Sequence, residues 1–207
     1  MDVKYLGLTA SDYFEAPAPS GERLQVFELY SGAASIHKAA VRVGKTSTTF
    51  DKEADKRQDV LTKERFQMAL NSVLRIENDG FFTCAPKCGS FITACAANHK
   101  RTEANNFMGD LDREFVRDGN NIATATETAF LLLVAHMRGV RCVLENSPSS
   151  RIWRFPIVKA VLEFLPEFKW SAIVHRCGHS TVGFWPVGCL RFGEDALLTL
   201  RANYGKC

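Results

Sequence analysis

Three short stretches place chemistry-bearing or ligand-admitting residues directly after apolar runs. The first is Glu28-Leu29-Tyr30-Ser31-Gly32-Ala33-Ala34, which closes the run LQVFELY. Small residues there let the backbone approach a ligand, and a helix starting just beyond aims its amide-rich N-terminus at the same place. The second is Asp51, at the end of STTFD; a carboxylate in that position accepts hydrogen bonds from both hydroxyls of a ribose. The third is Asp59 in QDVL, placed to meet an adenine edge if residues 58–61 form a strand. Singly, Gly32 is a turn and the two acids are solvated loop residues. At these intervals along one chain they read together as a nucleotide-type cofactor site. The turn lacks the Gly-x-Gly-x-x-Gly of a dinucleotide site and holds a single glycine.

Cysteine and histidine spacings allow a second chemistry. Cys84-x3-Cys88, Cys95-x3-His99 and His175-x-Cys177-x-His179 contain zinc-type ligands. Against a zinc site stand Pro86 between Cys84 and Cys88 and the lack of paired Cys-x2-Cys knuckles, so no metal ligand is assigned. Seven cysteines are an odd count for a disulfide framework, and Cys84 and Cys142 sit inside apolar runs. Both facts point to reduced thiols and an intracellular protein, of the cytoplasm or nucleus. The N-terminus MDVKYLGLTASDYFE lacks the basic and then apolar order of a secretory signal, and no apolar run approaches a membrane span. A net charge of +3, from 26 basic and 23 acidic residues, permits nucleic-acid binding without marking a dedicated basic face.

The elements that must position these residues alternate. Residues 1–23 read as an irregular leader and 24–207 as one domain. Residues 24–30 read as a strand, and Ile36, Ala39, Ala40 and Val43 give the inner face of a helix stopped by Gly44. Residues 47–51 and 58–61 read as short strands, and Thr62 caps a helix burying Phe66, Leu70, Val73 and Leu74. Residues 80–86 form a buried strand. The polar stretch Ala97 to Asn121 is too long for an ordinary connection. A helix over 122–138, a strand over 140–146, a helix carrying Val158, Val161, Leu162 and Leu165, and a strand over 169–176 follow. VGFWPVGCLRF, at 182–192, reads as a hairpin. Strands alternating with helices predict an α/β, Rossmann-like fold: a mostly parallel sheet with helices on both faces.

Within that frame, ELYSGAASIHKAAVRVG resembles the opening motif of the C-5 cytosine methyltransferases, an acid-Leu-Phe-Ser-Gly followed by small residues, a helix and Gly. Cys84-Ala85-Pro86-Lys87-Cys88-Gly89-Ser90-Phe91 resembles their nucleophile motif Pro-Pro-Cys-Gln-x-Phe, and Leu144-Glu145-Asn146 is similar to their Glu-Asn-Val motif. The motifs stand in the family order and cover 24–146. The resemblance implies a class I methyltransferase fold, S-adenosylmethionine as cofactor, and methyl transfer to C5 of cytosine in DNA or RNA. Ser31, Gly32 and Ala33 would cradle the cofactor, Glu28 would contact its amino-acid end, Asp51 its ribose and Asp59 its adenine. Tyr30, Ala34, Lys52, Val60 and Pro86 would complete that site. Cys88 would be the nucleophile, with Glu145 and Asn146 beside the cytosine. The stretch after Cys88 would be a mobile loop over the target, with Lys87, Lys100 and Arg101 facing nucleic acid.

The departures are equally specific. Lys87 replaces the second proline and Gly89 the glutamine. Lys87 beside Cys88 would help ionise it. No late Gln-x-Arg-x-Arg motif is evident, with Arg176 and Arg191 as stand-ins. The chain as given leaves no room for a target-recognition region, which a protein partner would then supply. The alternative expectation is a catalytically inactive protein of the same fold that binds cofactor, nucleic acid or a protein partner.

Overall fold

The computed structural model describes residues 20–92, 96–123, 128–147, 149–165, 170–173 and 189–192. Its strands are β1 (Leu24–Leu29), β2 (Ser47–Phe50), β3 (Ile76–Cys84), β4 (Arg141–Asn146), β5 (Trp170–Ile173) and β6 (Cys189–Phe192). The helices are α1 (Ser35–Arg42), α2 (Lys63–Leu74), α3 (Ala96–His99), α4 (Glu114–Ala123), α5 (Thr128–Met137) and α6 (Pro156–Phe164). The sheet order is β2-β1-β3-β4-β6-β5. Strands β2, β1, β3 and β4 are parallel, and β6 runs antiparallel to both β4 and β5. The chain is therefore an α/β protein with a Rossmann-like arrangement.

The connections set the faces. β2 and β3 lie on opposite sides of β1. Right-handed crossovers then put α1 on one face and α2 and α5 on the other. Packing agrees: α2 touches α5, and α5 touches α6. The core between this helical layer and the sheet holds Phe27 stacked on Phe82 at 5.6 Å, with Leu70, Val73, Leu131, Leu132, Val158 and Leu162 buried around them.

Several sequence expectations are corrected. Residues 58–61 form no strand. Lys56–Gln58 is a 3-10 turn, and the Asp59 carboxylate accepts from the Leu61 amide, a local bond that competes with sheet pairing. Thr62 is the N-cap residue of α2, but its hydroxyl donates to the Asp59 carbonyl instead of capping. In α1 only Ala40 is buried; Ile36 and Ala39 are exposed and Val43 is 72% exposed. The polar stretch 97–121 is not one loop, since it contains most of α3 and α4 and the 3-10 turn Glu103–Asn105. Ile122 belongs to α4, and the helical part of 128–138 is Thr128–Met137. Cys189–Phe192 pairs with Trp170–Ile173 and with β4. Residues 1–19, 182–188, Cys95, His175, Arg176, Cys177 and His179 lie outside the described residues.

One irregularity precedes the site. Three extra residues enter β3 between the pairs Leu24–Ile76 and Val26–Phe81. Asp79 takes φ 61° there, and a Cβ on Gly80 would lie 2.4 Å from Ile76 Cγ2 and 2.8 Å from the Glu77 carbonyl. Glycine is required for this bulge to close.

Candidate functional site

Register brings the expected residues to one edge. Phe50, Leu29, Cys84 and Leu144 pair across the four parallel strands. The next residues along each strand, Asp51, Tyr30, Ala85 and Glu145, therefore open the carboxyl edge together. The Tyr30 amide donates to the Phe50 carbonyl (2.8 Å) and the Ala85 amide to the Leu29 carbonyl (3.2 Å), which extends the ladder to that edge. Because the order reverses at β1, this edge contains a topological switch point, where open α/β sheets bind ligands.

The β1 turn is sharply bent. Tyr30, Gly32 and Ala34 have φ of 57°, 49° and 53°. Two of the three are not glycine, so the turn stores strain of the kind that clusters at ligand sites. No atom lies within 4 Å of a Cβ built on Gly32, so that side of the turn is open. The buried Asp51 fixes the turn: its Oδ2 accepts from the Gly32 amide at 2.6 Å and its Oδ1 from the Glu53 amide at 2.7 Å. The Asp51 amide in turn donates to Gln58 Oε1 at 2.7 Å.

Glu28 is also buried, and its two oxygens accept from the amides of His37 (2.8 Å) and Ile36 (3.4 Å) in the first turn of α1. A helix N-terminus attracts anions, and here a carboxylate of the chain already holds those amides. The first amides of α1 are therefore already occupied and are not free to hold a pyrophosphate. Lys38 Nζ donates to the Ala33 carbonyl at 2.7 Å. Asp59 stands 3.6 Å from Lys52 Nζ, and Val60 is buried beside it.

At the β3 end, Cys88 lies between two held residues. Before it, the Pro86 carbonyl accepts from Asn146 Nδ2 at 2.7 Å, a buried bond that ties the turn to the end of β4. After it, the Cys88 carbonyl accepts from the amides of Phe91 and Ile92, and the Phe91 carbonyl accepts from the Arg151 amide at 2.8 Å. Cys88 is half-buried. Burial, with the Glu145 carboxylate nearby, pushes its thiol above the usual value, and burial pushes the Glu145 carboxyl up as well. Lys87 does not offset this. Its ammonium pairs with Glu53, away from the thiol, which corrects the expectation that Lys87 ionises Cys88. Ser150 caps the 3-10 turn Arg151–Arg154, and Trp153 Nε1 donates to the Ser147 carbonyl at 2.8 Å.

The largest correction concerns Arg101. It is 1% exposed, and so does not face nucleic acid. Nε donates to the Ser90 carbonyl (2.7 Å), Nη1 to the Phe107 and Met108 carbonyls and Asn120 Oδ1, and Nη2 to Ser90 Oγ and the Val116 carbonyl. The guanidinium carbon lies 3.9 Å from the Phe91 ring centre. Burial, with Arg151 nearby, lowers its pKa to about 10, so it stays charged at neutral pH. Lys100 is exposed and pairs with Asp110 at 3.0 Å.

Ser90 and Asn120 were missed by sequence reasoning. The available signal was Gly119, a glycine inside a helix. A Cβ there would fall 2.0 Å from Ser90 Oγ and 3.2 Å from Arg101 Nη2. Among the described residues no cluster of three metal-type ligands occurs, and no helix is long and apolar enough to cross a membrane. No protein-family model and no curated protein matches the chain.

Proposed function

We propose that this chain is a methyltransferase-like protein that uses S-adenosylmethionine and transfers a methyl group to C5 of cytosine in DNA or RNA. The carrying observation is the shared sheet edge: the turn over residues 30–34, Asp51, the Cys88 turn and Glu145-Asn146 all follow the paired ends of parallel strands. The donor set fits the cofactor. Asp51 holds the Gly32 turn, Glu28 holds the first turn of α1 beside it, and the Gly32 side of the turn is open, while Asp59 lies in the turn before α2. Once bound, the cofactor supplies an electrophilic methyl on a sulfonium.

The chain's own residues account for the rest. Cys88 gives up its proton to solvent and adds as a thiolate to C6 of the ring, which makes C5 nucleophilic; once C5 carries the methyl group, the C5 proton leaves to solvent and the Cys88–C6 bond breaks, restoring the ring and the free cysteine. Glu145, whose carboxyl burial pushes up, is the group that would share a proton with ring N3 as the thiolate adds. Asn146 fixes Pro86, and with it the approach of Cys88. The base must leave its stack to reach such a turn.

Calorimetric titration of S-adenosylmethionine tests the cofactor, and binding is expected. No binding, with or without nucleic acid, would sink the reading. A covalent adduct with a 5-fluorocytosine oligonucleotide in the presence of cofactor tests the reaction, with Cys88→Ser as the adduct-free control. The inactive alternative is favoured by one observation: Cys88 is held as a thiol, with Lys87 turned to Glu53. Cofactor binding without any adduct would establish it.

A further inference from the structure

We infer that Arg101 is a positioning residue that fixes the orientation of Cys88 from the side opposite Asn146. This role rests on Cys88 being the reactive group of the proposed function. Two residues before Cys88, Asn146 holds the Pro86 carbonyl; two residues after it, Arg101 holds both the carbonyl and the hydroxyl of Ser90. The same guanidinium covers Phe91, whose amide closes the turn onto the Cys88 carbonyl. Cys88 is thus the middle of a five-residue span anchored at both ends.

The donors of the Arg101 guanidinium are fully engaged. A guanidinium has five N–H donors, and here six acceptors surround it. None is a carboxylate, and among the described residues Arg101 has no acidic partner. Burying such a cation costs free energy that neutral acceptors offset only when every donor is used. A phosphate would find no donor left. Gly109 and Gly119 provide the space: a Cβ on Gly109 would lie 2.9 Å from Arg101 Cγ, and one on Gly119 would strike Ser90 Oγ. The far side of the fork holds Phe107, Met108, Val116 and Asn120, so residues 107–120 form a buttress locked to the turn.

The test is the pH profile of Cys88 alkylation by iodoacetamide in the full chain, with the Cys88 peptide isolated by mass spectrometry. Lysine keeps the charge but loses the planar fork and the stacking. In Arg101→Lys the turn loosens and Cys88 becomes better hydrated. Its profile is expected to move toward that of an ordinary thiol, with about a tenfold faster reaction at neutral pH for each pH unit of movement. Gly80→Ala, which strains the β3 bulge instead, is expected to leave the profile unchanged. A folded Arg101→Lys protein with the wild-type profile would overturn the role. Should that variant not fold, Asn120→Ala, which removes one acceptor from the far side, decides by the same two results. The oligonucleotide adduct is scored separately: a moved profile without any wild-type adduct keeps the anchor and removes the methyl-transfer reading.

Discussion

Asn146 shows how one side chain links two strand ends. Its Nδ2 reaches the Pro86 carbonyl in a buried setting, and its Oδ1 accepts from the Ser147 amide at 3.1 Å. Asn146→Ala strands a buried carbonyl, so a loss of about 1–3 kcal/mol is expected from urea unfolding. Glu145 carries a pH signature. Burial raises its carboxyl above the usual value, so the folded chain keeps the proton where the unfolded chain has released it. Its contribution is therefore present below the ordinary glutamate pKa of about 4 and is lost as pH rises through the raised value. Glu145→Gln is expected to be more stable than wild type above that window, with the gap closing below about pH 4. Urea titrations across pH would check this; a gap independent of pH would contradict the burial of the carboxyl. The acid at this position was legible in the sequence. The pairing of Lys87 with Glu53 was not, because 34 residues separate them and only the folded sheet brings the ends of β2 and β3, on either side of β1, within reach of each other.

Elements obey local rules where a face is buried and escape them where it is not. Helix α2 buries Leu70, Val73 and Leu74 at the spacing the sequence predicts, with Phe66 at the margin. Helix α1 has the same kind of spacing, yet Ala40 is its one buried residue, and polar bonds from its first turn to Glu28 and Ser47 of the sheet accompany it. Val43, just past its end, is a surface residue, so Val43→Lys is expected to change stability by no more than about 0.5 kcal/mol in urea unfolding. A loss of several kcal/mol would mean that Val43 is covered. Gly32 and Gly80 separate two reasons for glycine. Gly32→Ala meets no atom but must hold φ 49°, which costs about 1–2 kcal/mol. Gly80→Ala instead overpacks the bulge against Ile76 and Glu77, and about 1–3 kcal/mol is expected. Repeating Gly32→Ala in the calorimetric titration shows whether the turn's conformation also matters for the cofactor.

At the scale of the molecule, a ligand that binds only the folded chain must stabilise it. S-adenosylmethionine at about one hundred times its dissociation constant is expected to add about 2.7 kcal/mol, read as a rise in the unfolding midpoint. An unchanged midpoint at saturating cofactor would contradict a site on the folded sheet. The strand–helix alternation and the standing of the Gly32 turn, Asp51 and Glu145-Asn146 at strand ends were legible in the sequence. Each is written in local composition: β-branched and aromatic runs, small residues at a turn, polar residues where an apolar run stops. Asp59 was legible as an acid but not as part of a turn, since its side chain outcompetes a strand by bonding two residues onward. Arg101 marks the boundary. A charged residue in a polar stretch reads as solvated, because the sequence does not reveal which neutral carbonyls will converge on it. The chain by itself determined which residue types stand at the strand ends. Only the tertiary structure decided that Arg101 turns inward, that Lys87 faces Glu53 and that Cys88 is held from both sides, because those outcomes depend on contacts between segments far apart in sequence.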